Sequence, residues 1–263
     1  MKLLIINKKT IKNFSYLFLI ILFFSLIIYI YLDNNNSNAN KSENHLSAKI
    51  RNNIQNIYEN NEKTAYLTFD DGPSKTVTPK ILDILKQNNT LANFFVVGKH
   101  VEKYPELVKR AYEDGHFIAN HSYSHNNSKL YKSKQDFINE ILETDKEIAK
   151  AIGKDMYCSH IFRFPNGSMS KIHYSDKKKA IKYLEEIDYT YIDWNALNND
   201  SMKKYSNSEL ISNLKNSIKN KGTIVILMHD TGDVNKTYDI LEESINIIKS
   251  EGYEFKTFYE LLK

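Results

Sequence analysis

From residue 63 to the C-terminus, short runs rich in β-branched and aromatic residues alternate with stretches whose apolar residues recur at helical spacing. This alternation constrains the fold more than any other feature. Parallel strands need a crossover of a dozen or more residues, and a helix supplies it most readily. Residues 65–69 (AYLTF) read as the first strand, and Thr78-Pro79 starts the helix after it, with Pro at a position where no backbone N–H is needed. Further strands are expected at 92–97, 116–120, 161–164, 189–194 and 223–228, with a short one near Tyr253–Phe255. Helices are expected at 105–112, at 134–152 with Gly153 as its stop, at 175–187, 208–219 and 236–250, and at a final turn over 258–262. Seven or eight such units make a closed or partly open β/α barrel. A doubly wound open sheet is the alternative. It would normally carry a Gly-rich phosphate loop after the first strand, which Asp70-Asp-Gly-Pro-Ser74 is not.

The 263 residues accommodate one such domain and an appendage. Phe14–Leu32 is an uncharged, nearly unbroken apolar run, close to the ~20 residues that cross a bilayer. Lys2, Lys8, Lys9 and Lys12 precede it, so residues 1–13 are expected to be a cytoplasmic basic tail. A cleaved signal peptide would have an apolar core of about 7–15 residues and a small-residue cleavage site. Here Tyr29-Ile-Tyr-Leu32 stands in that place. The run reads as a single-pass transmembrane anchor at 14–32, followed by a flexible tether at 33–62 and an outward-facing domain at 63–263. A short amphipathic turn around Ile50–Tyr58 fits within the tether.

Charge and cysteine content narrow the function classes. Residues 1–62 carry seven Lys or Arg against four Asp or Glu, and the remainder carries 29 against 28. The basicity belongs to the N-terminus, so the domain shows no nucleic-acid footprint in its composition. The single cysteine, Cys158, rules out an intrachain disulfide and a Cys-based zinc site, and is expected to be a small buried residue.

The conspicuous polar residues fall at strand ends: Asp70 and Asp71, His121 and His125, Arg163, Asp193, and His229 with Asp230. In a β/α barrel the C-terminal strand ends share one mouth, so these five regions converge. His121-Ser-Tyr-Ser-His125 has a spacing that lets two imidazoles reach one metal ion, though two hydrogen-bonded surface histidines would look the same. A carboxylate from Asp70 or Asp71 completes a His₂-carboxylate set that suits Zn²⁺ and leaves a coordination position open. The neighbouring acids also fit a helix-capping pair; otherwise one serves as ligand and the other as general base.

Thr68-Phe-Asp-Asp-Gly-Pro73, His121-Ser-Tyr-Ser-His125, Arg163-Phe-Pro-Asn-Gly167, Asp193-Trp194 and Leu227-Met-His229 occur in order over residues 65 to about 260. Together they closely resemble the polysaccharide deacetylases, the NodB-homology group or carbohydrate esterase family 4. The resemblance implies an α/β fold, a distorted (β/α)7-8 barrel, here preceded by the single N-terminal transmembrane helix. It implies metal-dependent removal of acetyl groups from N-acetylated cell-wall polysaccharide. One divalent ion, Zn²⁺ or Co²⁺, would be held by Asp71, His121 and His125. Asp70 would be the general base, Arg163 its orienting partner, and His229 the general acid with Asp193 tuning it. The backbone N–H of Asn166, after Pro165, would stabilise the oxyanion, Pro165 would be among the substrate-binding residues, and Trp194 and Leu227 would line a pocket for the acetyl methyl. Two positions depart from the family pattern: Asn166 replaces a common aromatic, and Thr190 stands where an acid often precedes the fourth motif.

An outward-tethered enzyme meets peptidoglycan first, so its N-acetylglucosamine is the leading substrate, with a monomeric catalytic domain on the cell-wall side of the membrane. N-acetylmuramic acid, chitin-like oligomers, poly-N-acetylglucosamine and acetylated xylan remain open. A catalytically silent wall-binding protein with this fold would be expected to lack Asp70, a metal ligand or His229, and all are present. His116, His160 and His173 match no motif and are expected to be structural or exposed. Asp200 and Asp230 lie near the mouth without an assigned role.

Overall fold

Every strand pairing in the structure is parallel, as the strand–helix alternation requires. The computed structural model describes residues 25–27, 46–202, 205–231 and 236–263. Helix α1 (Ala48–Gln55) and a one-turn 3-10 helix (Ile57–Glu59) lead into β1 (Thr64–Asp70). There follow α2 (Thr78–Gln87), β2 (Asn93–Val96), α3 (Gly98–Lys103), α4 (Pro105–Glu113), β3 (Phe117–Asn120), α5 (Asn127–Leu130), α6 (Lys134–Ile152) and β4 (Ile161–Phe162). The chain continues through α7 (Tyr174–Glu186), β5 (Thr190–Tyr191), β6 (Ala196–Leu197), α8 (Asn207–Ile218), β7 (Ile224–His229), α9 (Lys236–Ser250) and β8 (Glu254–Phe255), and ends in a 3-10 turn at Phe258–Glu260.

The strands lie in the order β5-β4-β3-β2-β1-β7-β6, with β8 paired to the start of β1. Among the described residues no ladder joins β5 to β6, so the expected barrel is a curled sheet that stays open there. The predicted strand 189–194 is correspondingly broken after Tyr191. The physical reason lies in side chains that take over the backbone there. Arg163 occupies the carbonyls of Ile192 and Asp193, while the Asn195 side chain bonds the backbone of Thr223 and Val225.

Alternation along the strands sorts two faces. Ala65, Leu67 and Phe69 of β1, with Ile224, Ile226 and Met228 of β7, pack in the core that includes Ile81, Leu85, Leu241 and Ile245 of the helices. Tyr66 and Val225 belong to a second cluster with Phe95, Phe117, Ala119 and Ile161, on the concave side. Continuing that second face by steps of two reaches Thr68 and Asp70 on β1, and Leu227 and His229 on β7. The polar end of the concave side is therefore built from the same stripe as its apolar floor.

That floor is filled by residues placed in the tether by sequence. Ile54 of α1 is fully buried and Ile57 nearly so, both in the cluster with Phe95, Val225 and Phe258. Arg51 bonds the Asp188 carboxylate at 2.7 Å, and the Leu46 amide bonds the same group. The expected tether thus loses 46–62 to the folded unit, which runs from Leu46 to Lys263. The concave surface is apolar at that end, and covering it removes more from water than a free tether could. The remainder of the tether and the expected tail lie outside the described residues, as does the expected membrane span except Ser25–Ile27, which are helical. Among the described residues, no helix is long and apolar enough to cross a membrane.

Ile54→Ala in the chain from residue 46 is expected to cost about 2–5 kcal/mol, because a fully buried isoleucine leaves a cavity. Asn53→Ala, on the exposed side of the same helix, is expected to stay within about 0.5 kcal/mol. Urea unfolding of the two variants checks this; equal midpoints would show that α1 is not part of the core.

Candidate active site

Asp70 ends β1 and is 4% exposed. Its Oδ1 accepts a 2.7 Å hydrogen bond from Arg163 Nη1, which also donates to Thr68 Oγ1 at 2.7 Å. Arg163 Nε donates to the Ile192 carbonyl at 3.1 Å and Nη2 to that of Asp193 at 3.0 Å. The guanidinium is wholly buried and lies 3.8 Å from the centre of the Phe95 ring. A planar fork of donors suits this task, and a lysine could not meet these acceptors at once. A buried charge is tolerated only when paired and hydrogen-bonded, which these four bonds accomplish.

Asp71 leaves the strand with a φ of 74°, in the left-handed region. The turn separates the two neighbouring carboxylates: Asp70 meets Arg163, and Asp71 meets histidines. Asp71 Oδ1 lies 3.4 Å from His121 Nε2 and 3.2 Å from His125 Nε2. The loop that returns His125 is held by its amide on Ser122 Oγ and by the Ser122 amide on Asn120 Oδ1. His121 Nδ1 sits 2.8 Å from the Arg163 carbonyl. A carbonyl only accepts, so Nδ1 carries the proton and Nε2 is the atom available to a metal.

The ligand atoms of Asp71, His121 and His125 all lie within 4.8 Å of one another. This His₂-carboxylate set fits a divalent ion with an open position. Burial would raise the Asp71 pKa, but the adjacent His121, His125 and His229 outweigh it and hold the group below the usual carboxylate range. Burial lowers the His121 pKa, and the charges of Asp70 and Asp71 outweigh that and raise it. His125 goes the other way, lowered by burial and by His121.

The acid that meets His229 is Asp200, not the expected Asp193. Asp200 Oδ1 lies 2.7 Å from His229 Nδ1, and Oδ2 accepts from the His229 amide at 2.8 Å and from Thr237 Oγ1 at 2.7 Å. Asp193 instead accepts from the Ser168 amide at 3.0 and 3.1 Å and from Ser168 Oγ at 2.5 Å. The break at 192–195 is the cause. It makes a separate strand, β6, that pairs with β7 and delivers Asp200 beside the end of β7. The signal in sequence was a second acid a few residues beyond Asp193, after Ala196-Leu-Asn-Asn199. Burial would lower the His229 pKa, but the bond and charge of Asp200, with Asp70 and Asp71, push it up to about 9.

Arg163 leads directly to the loop Pro165-Asn166-Gly167. Asn166 has a φ of 65° and is exposed, and its amide donates to no protein acceptor among the described residues. Gly167, with φ 76°, lies against Trp194: a Cβ there would sit 2.8 Å from the indole. Leu227 is 6% exposed, two residues before His229 on β7 and in register with Thr68. Asp230 is buried and accepts from Thr78 Oγ1 at 2.6 and 2.8 Å and from Ser74 Oγ at 3.2 Å. It fixes the turn after Asp71, where Gly72 leaves no room for a side chain against that carboxylate. Burial pushes Asp230 up to about 8. His116 is buried, its Nδ1 accepting from the Ala92 amide, and His160 donates to the Asp188 carbonyl. Cys158, expected to be buried, is exposed, with Sγ 3.5 Å from His160 Nδ1, because it lies in the irregular segment before β4.

A family model described as polysaccharide deacetylase matches residues 57–192. The peptidoglycan-N-acetylglucosamine deacetylase PgdA of Listeria monocytogenes is 38% identical over 201 residues, covering 76% of this chain and 39% of that protein. The chain thus spans well under half the length of that relative. A peptidoglycan-N-acetylglucosamine deacetylase of Bacillus cereus is 34% identical, with 75% of this chain and 70% of that protein covered. Among solved structures, a Streptococcus mutans CE4 esterase superposes with a TM-score of 0.70 at 28% identity, covering 83% of this chain and 93% of that one.

His229 has a folded-state pKa above the ordinary ~6.5 of a free histidine. Its pairing therefore stabilises the fold fully below about pH 6.5, and that contribution is lost as pH rises through about 9. In Asp200→Asn the His229 pKa, followed by NMR of the imidazole protons, is expected to fall, because the strongest opposition to burial is removed and only the charges of Asp70 and Asp71 remain against it. An unchanged titration would show that Asp200 does not hold the proton on His229.

Proposed function

Because this chain belongs to the polysaccharide deacetylase family, we propose that it hydrolyses the acetamide of N-acetylated amino sugars in cell-wall polysaccharide, with peptidoglycan N-acetylglucosamine as the principal substrate. The observation that carries this reading is the meeting, at one end of the concave face, of a carboxylate on a buried guanidinium, a His₂-carboxylate trio and an imidazole on a buried acid. The names of the relatives support peptidoglycan over other acetylated glycans.

Asp71, His121 and His125 would hold a divalent ion, Zn²⁺ by the chemistry of the donors and Co²⁺ as the substitute. When bound, it supplies Lewis acidity toward the acetamide oxygen and toward water. The protein's own groups supply the proton transfers. Asp70 Oδ1 is committed to Arg163, so Oδ2, 3.8 Å from His121 Nε2, is the atom that accepts the proton of the attacking water. The Asn166 N–H, which has no acceptor among the described residues, is the backbone donor for the developing oxyanion. His229 keeps Nδ1–H on Asp200 and gives its Nε2 proton to the departing amine. Acetate and the free amino sugar leave. Trp194 and Leu227 are assigned to the acetyl methyl, and Pro165 to the wall beside it.

We further propose that residues 14–32 anchor the chain in the cell membrane with the domain on the wall side, where peptidoglycan lies. Protease shaving of intact cells is expected to degrade the domain while leaving a membrane-bound fragment. A mature protein beginning beyond residue 32 and released to the medium would overturn the anchor.

The reaction itself is tested by metal-dependent acetate release from peptidoglycan, beside chitin oligomers and acetylated xylan. Asp70→Asn is expected to keep its metal and lose about 10²–10⁴-fold in turnover. Asp71→Asn and His125→Ala are expected to lose metal first, with excess metal restoring part of the activity of Asp71→Asn. Elemental analysis beside acetate release decides; an empty Asp70→Asn and a loaded, inactive Asp71→Asn would reverse the two roles.

A further inference from the structure

The Gly167–Ser168 peptide is gripped at both polar ends by side chains of opposite charge. Its N–H donates to both oxygens of Asp193, at 3.0 and 3.1 Å, and its carbonyl accepts from Lys177 Nζ at 2.7 Å. Lys177, on α7, is 1% exposed, and a lysine is almost never so buried without a specific partner. Here the partner is a main-chain carbonyl, with Asp193 at the other end of the same peptide. Ser168 Oγ adds a third bond to Asp193 at 2.5 Å.

The gripped peptide follows directly on two residues with left-handed backbone, Asn166 (φ 65°) and Gly167 (φ 76°). Asparagine and glycine are the residues that take this conformation most readily, so the turn is built from residues suited to it. The Gly167 amide closes the turn on the Phe164 carbonyl at 2.8 Å, and Trp194 packs on its Cα side. Within this turn the Asn166 N–H is left without a protein acceptor among the described residues. Asp193 also ties the turn to the base: its own carbonyl accepts from Arg163, whose Nη1 holds Asp70.

We propose that Asp193 and Lys177 are positioning residues for the reaction, fixing the Gly167–Ser168 peptide so that the Asn166 N–H stands ready for the oxyanion. This rests on the deacetylase reading above and gives Asp193 a different task from the tuning of His229. The grip matters because a donor contributes to rate only when it is already placed where charge develops, and a displacement of about 1 Å can cost on the order of 10²-fold.

The test uses the full-length chain with Asp193→Asn, Lys177→Met and Ser168→Ala. Asp193→Asn is expected to lower kcat about 10- to 100-fold, leave KM within roughly twofold, and keep wild-type metal content and thermal midpoint. A tetrahedral phosphonate analogue of the acetamide is expected to weaken in proportion to kcat/KM across the variants, because only the transition state needs the donor. Lys177→Met is expected to follow the same pattern, and decides if Asp193→Asn does not fold. Ser168→Ala removes the third bond to Asp193 while keeping the two amide bonds, and is expected to lower kcat in the same direction by a smaller factor. A shift of the pH limb of kcat in Asp193→Asn would return Asp193 to His229 and overturn the proposal. So would a fall in thermal midpoint and a rise in KM, with analogue binding lost no faster than substrate binding. Hydrogen exchange of the Ser168 amide, measured without substrate, reads the grip independently: it is expected to quicken in Asp193→Asn, and unchanged protection overturns the proposal. A wild-type chain that releases no acetate from any acetylated glycan would instead count against the deacetylase reading, with the exchange measurement still deciding the grip.

Discussion

The buried guanidinium of Arg163 is the interaction on which the rest of the site depends. Removing such a charge from water costs several kcal/mol unless every donor finds a partner. Its partners here are drawn from β1 and from the 192–193 segment, while its face rests on Phe95 of β2. Its backbone carbonyl then takes His121 Nδ1 and decides which nitrogen of that ring is available. One residue therefore sets the orientation of the Asp70 carboxylate, the tautomer of His121 and the path of the chain toward Asp193. A shift of any of these elements would strand a charge in an apolar interior, which makes the arrangement rigid.

The opening of the sheet between β5 and β6 follows from the same bonds. The carbonyls of Ile192 and Asp193 accept from Arg163, and Asn195 bonds β7 with its side chain as well as with its backbone N–H, which donates to the Val225 carbonyl at 3.1 Å. The chain gains from the break a second short strand, β6, whose exit carries Asp200 to His229. The Asp200–His229 pair and the departure from a closed barrel both lie at this break.

At the other end of the concave face the requirement is apolar. Ile54, Ile57 and Phe258 cover the floor beneath Phe95 and Phe117, and Phe258 meets Tyr66, Phe95 and Phe117 ring to ring. The segment just before β1 thus serves stability at the end remote from chemistry. Its polar composition masked this: Asn52, Asn53, Gln55 and Asn56 face solvent, and Ile50, Ile54 and Ile57 at helical spacing marked an amphipathic turn without showing that it packs on the domain.

The sequence by itself determined what is local. The apolar, β-rich runs AYLTF and TIVILM marked strands, and Gly153 and Thr78-Pro79 marked helix ends, that the structure contains. Spacing paired His121 with His125 and left the acid open between Asp70 and Asp71; the family resemblance assigned Asp71, and the three residues are together in space. What only the tertiary structure decided was pairing between distant segments. Asp193 and Asp200 are both acids near a strand end, and nothing in their immediate neighbours ranks them for His229. The choice depends on which short strand lies beside β7, and that depends in turn on where Arg163 spends its donors. Hydrogen-bond competition of this kind is non-local, because a backbone carbonyl is claimed by whichever donor the packed fold brings within about 3 Å, and a linear pattern does not contain that distance.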